Sequence, residues 1–211
     1  MARSPSPEPT QERLRASHAD LLLDIAEQAI VDGLRTRRPT VPTPAGLPAE
    51  LRRAVGAFVT LNVHGQLNGC IGSIETDEAV AVSVARHAWS AAFDDPRLPA
   101  LRWADYDHVD IEISLLSPLA PIVASSREEL LDVLEPGVDG LLIVAGARRA
   151  VFLPSVWEQL PSAETFLAHL FLKAELDPAV WPDGLRAFGF TAEKFGRRAQ
   201  SGIDRRGREQ S

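Results

Sequence analysis

The stretch Gly56-Ala57-Phe58-Val59-Thr60-Leu61-Asn62-Val63-His64-Gly65-Gln66-Leu67-Asn68-Gly69-Cys70-Ile71-Gly72-Ser73 carries two strand-like runs around a turn. Phe58, Val59, Leu61 and Val63 form the first run, and Leu67, Cys70 and Ile71 lie in the second. His64-Gly65 separates them, and glycine accepts the positive φ that a tight hairpin turn requires. Gly69 and Gly72 flank Cys70, the one cysteine of the chain. Glycine inside a strand gives up side-chain packing and marks a bulge or a close approach to the backbone. The hairpin is therefore the candidate site, with Cys70 at its centre.

Outward from this hairpin, the 211 residues suffice for one large domain or two small subdomains with a real core. A hydrophobic share of 45% against a charged share of 24% places the chain among globular proteins, not disordered ones. No apolar run approaches the ~18 residues of a membrane span. Met1 to Thr10 contains prolines and lacks the apolar core of a secretory signal. A lone cysteine allows no internal disulfide, which agrees with a reducing compartment. The expectation is a cytoplasmic protein with no membrane partner.

Charge is unevenly placed. The first 17 residues carry a net +1 and the last 15 a net +3, so a total of −7 leaves −11 on the body. So acidic a body repels a phosphate backbone, whose neutralisation by Lys and Arg supplies most non-specific affinity. Nucleic acid is not an expected partner. The sequence places disordered tails at residues 1–17 and 197–211, with a folded body over 18–196.

Within the body, Ser17 is the expected N-cap of a helix in which Leu21, Leu22, Ile25, Ala29 and Ile30 recur at helical spacing up to Gly33. A proline-rich connection follows, and Pro48 opens a short helix through Arg53. After the hairpin, Thr76 is the expected cap of a helix that stops at Asp94-Asp95-Pro96-Arg97. A strand over 108–116 puts Ile111, Ile113 and Leu115 on one face and Asp110, Glu112 and Ser114 on the other. Ser126 to Glu129 is a capping box. A second hairpin spans 139–153, a helix follows over 164–176, and 187–195 is a closing strand. Hairpins and helices are mixed without strict alternation, so the class is α+β.

Several longer motifs now stand in order: Phe58-Val-Thr-Leu61, Leu67-Asn-Gly-Cys-Ile-Gly72, Ala91-Ala-Phe-Asp-Asp-Pro-Arg97, Ile111-Glu-Ile-Ser-Leu-Leu-Ser-Pro118, Asp139-Gly-Leu141, Phe152-Leu-Pro-Ser-Val-Trp157 and Phe166-Leu-Ala-His-Leu170. In these the chain resembles the AMMECR domain family, whose prokaryotic members are called AmmeMemoRadiSam system protein A. The resemblance covers about 18–196. It implies a two-part α+β domain with a mixed or antiparallel sheet, hairpins and flanking helices. It also implies a pathway shared with Memo-like and radical-SAM proteins, and leaves the reaction open. The family signature Leu-Arg-Gly-Cys-Ile-Gly has an arginine where this chain has Asn68, which removes a cation beside the cysteine.

The expected catalytic residue is Cys70, since a thiolate is a good nucleophile where cations or a helix N-terminus favour it. His64 and His87 are the candidate bases. The other reading of Cys70, a small packing residue, stays open. Expected binding residues are Asn68, Gly69 and Gly72 on the hairpin, Asp94, Asp95 and Arg97 on the loop, and Glu112 on the strand. Arg97 suits a bidentate contact to a carboxylate or phosphate. A Glu112–Arg97 ion pair is the alternative if that face is buried.

Other chemistries lack their residues. One cysteine cannot ligate a radical-SAM cluster, and His-Glu-x-x-His, Cys-x-x-Cys, Gly-x-x-x-x-Gly-Lys and Gly-x-Ser-x-Gly are all missing. The five histidines show no metal-ligand spacing, so no metal is expected, short of a site assembled in three dimensions. No cofactor is specified. Two functions remain: an enzyme or enzyme component acting on a small molecule or modified macromolecule, or a non-catalytic protein-binding adaptor domain.

Overall fold

In the computed structural model, which describes residues 9–200, the elements run α1 (Pro9–Thr36), β1 (Ala57–Val63), β2 (Gln66–Ser73), α2 (Val80–Phe93), β3 (Val109–Leu116), β4 (Ala120–Ile122), α3 (Arg127–Val133), β5 (Gly140–Ala145), β6 (Arg148–Phe152), α4 (Ala163–Lys173), β7 (Arg186–Phe190) and β8 (Ala192–Arg198). They form two four-stranded sheets with helices, the α+β class that the pattern of hairpins and helices predicts. The chain divides into two compact units, 117–192 and the segments on either side of it.

In the flanking unit the sheet order is β2-β1-β3-β8, with β1 antiparallel to both β2 and β3. Strand side chains alternate between faces, and here the alternation is strict. Ala57, Val59 and Leu61 of β1, with Ile111, Ile113 and Leu115 of β3, join a core with Leu22, Ala26 and Ile30 of α1 and Val84 and Ala88 of α2. Each large aliphatic side chain fully buried there contributes about 1.5–3 kcal/mol relative to exposure. The opposite face carries Phe58, Thr60 and Asn62 beside Ser114, Glu112 and Asp110.

Several boundaries differ from the sequence expectation. α1 is already helical at Pro9, so Ser17 lies inside the helix and is not its cap. α2 starts at Val80 with Ala79 as N-cap. The reason is a bridge between Ala54 and Ala79, which holds Ala79 extended while the Val80 amide donates to the Arg53 carbonyl at 2.8 Å. Thr76 instead closes a local turn, its Oγ1 accepting the Glu78 amide at 3.0 Å.

The expected closing strand is two strands in different sheets, parted at Thr191. β8 continues through Arg197 and Arg198, beyond the expected end of the body at 196. The remainder of the expected tails, 1–8 and 201–211, lies outside the described residues.

In the unit 117–192 the sheet order is β4-β7-β5-β6. Leu141 and Ile143 of β5 pack with Phe166, Leu167 and Leu170 of α4. Trp157 stacks on Phe166 at 3.8 Å between ring centres and donates from Nε1 to the Asp139 carbonyl at 2.7 Å. Ser126 and Ser162 cap α3 and α4 by accepting the amides of Glu129 and Thr165.

Candidate functional site

The hairpin forms as expected, turning at His64 and Gly65 with φ of 53° and 76°. Its register steps from Leu61↔Gly69 to Asn62↔Leu67, so Asn68 is the extra residue of a β-bulge on β2. Asn68 Nδ2 is buried with no hydrogen-bond acceptor among the described residues. The two flanking glycines serve close packing. A Cβ on Gly69 would lie 1.8 Å from the Ala91 carbonyl oxygen of α2, and one on Gly72 would lie 2.3 Å from the Phe58 ring. Gly69 thus faces the helices, and alternation turns Cys70 to the polar face. There the half-buried Cys70 Sγ accepts a hydrogen bond from Thr60 Oγ1 at 3.3 Å.

β2 is an edge strand, and the backbone of Cys70 points away from β1. Asp95 and Arg97 meet it there. The Cys70 amide donates to Asp95 Oδ2 at 3.0 Å, and Arg97 Nη2 donates to the Cys70 carbonyl at 2.9 Å. Asp95 also accepts from the Arg97 amide at 3.1 Å, from Nε at 2.9 Å and from Nη2 at 2.7 Å. Asp95 is only 5% exposed. The Arg97 side chain, followed by the two backbone amides, holds its carboxyl far below the usual carboxylate range, against the opposing effect of burial. The same bonds raise the Arg97 pKa. Asp94 stands apart from this clamp, exposed at the C-cap of α2, its amide donating to the Ser90 carbonyl.

Glu112 does not pair with Arg97. Its Oε1 lies 3.5 Å from Lys194 Nζ on β8, with both side chains well exposed. The sheet order explains this: β1 lies between β2 and β3, so Glu112 sits about 10 Å from the edge that Arg97 caps. Register places Thr60 opposite both Cys70 and Glu112. Cys70, Thr60, Glu112 and Lys194 thus follow one another across the polar face. Thr60 and Lys194 were absent from the sequence-derived site. Continuing the alternation from Phe58 would have found Thr60, whereas Lys194 depends on which strand lies beside β3.

The candidate bases are elsewhere. His64 lies four residues beyond Thr60, about 13 Å along the strand, and stacks on His108 with ring centres 4.1 Å apart. His87 rides on α2, against the opposite face; burial lowers its pKa, and Nδ1 has no partner among the described residues. Among the described residues no group of three or more His, Cys, Asp or Glu side chains converges to hold a metal. No described helix is long and apolar enough to cross a membrane.

The chain is similar to archaeal proteins over most of its length. A protein of Methanothermobacter thermautotrophicus is 35% identical over 180 residues, covering 82% of this chain and 91% of its own. One of Thermococcus onnurineus is 34% identical over 194 residues, covering 87% and 92%. The crystal structure of the uncharacterized protein PH0010 from Pyrococcus horikoshii matches with a TM-score of 0.76 at 31% identity, over 87% of this chain and 93% of that one. A family model described as AMMECR1 matches residues 23–195. With sequence, fold and family model agreeing over nearly the whole folded body, the chain belongs to the AMMECR1 family.

Proposed function

We infer that the chain is an enzyme or enzyme component that binds a small molecule, or a modified group on a macromolecule, on the polar face of its β2-β1-β3-β8 sheet, with Cys70 as the contacting thiol. One observation carries this reading. The Cys70 backbone is pinned at both its amide and its carbonyl, while its side chain stays half-exposed at the end of a row with Thr60, Glu112 and Lys194. A fixed thiol beside a hydroxyl, a carboxylate and an ammonium offers donors and acceptors at set spacings, which is what orienting a polar ligand requires.

Arg97 brings a guanidinium to the Cys70 carbonyl and Asp95 a carboxylate to its amide, so an ion pair frames the cysteine where Asn68 replaces the signature arginine. Asp95 and Arg97 act by positioning Cys70, and Gly69 and Gly72 by letting the strand pack. Glu112 is the carboxylate nearest in register to the thiol's neighbour Thr60, and so the group to accept a proton or a substrate ammonium. The family resemblance supports a place beside Memo-like and radical-SAM proteins in one pathway. A second reading, an adaptor domain docking a partner protein on the hairpin, is favoured by Leu67, an apolar side chain 48% exposed next to the turn.

The test is the rate of Cys70 alkylation in the folded protein, with Cys70→Ser as the blank. The expected result is labelling without unfolding, and protection by members of a metabolite panel. Labelling only after denaturation would make Cys70 a packing residue and leave the adaptor reading.

A further inference from the structure

An aromatic side chain stands on the same polar face, beside the row of Cys70, Thr60 and Glu112. Phe58 on β1 is opposite Gly72 on β2 and Ser114 on β3. Its ring leans across the glycine, where a Cβ would lie 2.3 Å from Cγ and 2.4 Å from Cδ1. One side of the ring is thus seated on backbone, and the residue stays half-buried. Two residues along β1, Thr60 is opposite both Cys70 and Glu112. Those two are therefore the diagonal neighbours of Phe58 on either side, about 7–8 Å away and within reach of an aromatic group.

We propose that this platform binds a planar heteroaromatic ring with an exocyclic amine, a base of the adenine or cytosine type taken free or as its nucleoside. The ring stacks on Phe58 and the amine donates to Glu112. The proposal rests on the reading of Cys70, Thr60 and Glu112 as a ligand site, and names the class of ligand.

Three features select this chemistry. A ring seated on glycine has no side chain beneath it to shift, so its outer side is a fixed surface for stacking, a general way of holding bases. Thr60 Oγ1 donates its proton to Cys70 Sγ at 3.3 Å, which leaves its oxygen to a ligand as an acceptor. A carboxylate at Glu112 is an acceptor as well. The row is thus matched by a ligand edge that donates N–H, as the exocyclic amine of adenine or cytosine does; hypoxanthine and uracil carry a carbonyl at that place. Lys194 Nζ, 3.5 Å from Glu112 Oε1 with both side chains well exposed, is too loosely paired to keep the carboxylate from a second donor. The acidic body of the chain disfavours a phosphate on the ligand, hence a base or nucleoside and not a nucleotide.

The test is calorimetric titration of the full chain with adenosine, inosine, cytidine and uridine, beside Cys70 alkylation with each nucleoside present. The unaltered chain should bind adenosine or cytidine about tenfold more tightly than its partner without the amine. Glu112→Leu, a change at an exposed side chain, should abolish that preference. Phe58→Leu, which keeps an apolar cover on Gly72, should weaken binding of the aminated nucleoside about tenfold or more. No binding of either aminated nucleoside, equal affinity within each pair, or a preference that survives Glu112→Leu would overturn the proposal. Protection of Cys70 by other metabolites alone would also overturn it and leave the Cys70 site standing. A Cys70 that labels only after denaturation would remove both.

Discussion

At Asp95, a buried carboxylate accepts the amide of Cys70 while its partner Arg97 donates to the carbonyl of the same residue. These are the two bonds that a further strand would make to the edge of β2, so one ion pair closes the edge and fixes the cysteine. The pair is asymmetric, with Asp95 buried and the Arg97 side chain 61% exposed. An amide in place of the carboxylate therefore leaves the Arg97 side chain free to solvate and keeps an acceptor for only one of the two backbone amides, of Cys70 and of Arg97, that Asp95 holds. Asp95→Asn should cost about 1.5–3 kcal/mol, the worth of hydrogen bonds to a charged group, read as a lower urea midpoint.

Folding lowers the Asp95 pKa, so its contribution is complete above the ordinary carboxylate range and declines as pH falls towards the folded-state value. The unaltered protein should lose stability from about pH 5 to about pH 2 more steeply than Asp95→Asn. Equal slopes would show that the ion pair contributes little. The sequence supplied every residue of this clamp, and Asp95 and Arg97 stood out in it. It did not show that they satisfy each other and a backbone two elements away, because nothing local distinguishes an Asp that stops a helix from one that caps a strand. The Glu112–Arg97 pair failed for the same reason, since the distance between them depends on strand order.

Glu27 works at the scale of elements. It is 4% exposed on α1 and accepts from Tyr106 Oη at 2.7 Å, from Arg197 Nη2 at 2.8 Å and from the Gln200 amide at 2.6 Å. Arg197 also bonds Asp24. One carboxylate thus ties the end of β8 and the turn before β3 to the first helix. Glu27→Ala should cost about 1.5–3 kcal/mol because it leaves the Tyr106 hydroxyl and the Gln200 amide without their acceptor, while Arg197 keeps Asp24, whereas Tyr106→Phe removes one bond and should cost about 1 kcal/mol.

Burial, then the hydrogen bond to Glu27 and its charge, raises the Tyr106 pKa well above that of a free phenol. Its contribution is complete below about pH 10 and is lost as pH rises through the folded value. Tyr106→Phe should therefore show a flatter alkaline limb in urea midpoints. A limb as steep as that of the unaltered protein would assign the alkaline loss to other groups. None of this was legible beforehand: Glu27 lies outside the apolar set that marks the first helix, and Arg197 opens the expected C-terminal tail.

For the whole molecule, a formal charge of −7 with the positive excess at the ends leaves an acidic body, the wrong sign for neutralising phosphates. The chain should show no salt-dependent retention of duplex DNA in a gel-shift series, and binding that weakens steadily with salt would refute this.

The sequence by itself determined the class, the hairpin, the inward faces of β1 and β3, and the membership of the AMMECR1 family. These depend on local periodicity and on motifs that survive in order along the chain. Tertiary structure decided what each polar residue meets. The register of β1 against β3 put His64 beside His108, and the edge position of β2 gave Asp95 and Arg97 their task. The place of β8 beside β3 gave Glu112 its lysine. Such pairings join residues tens of positions apart, and alternation along one strand says which face a side chain takes but not which strand lies next to it.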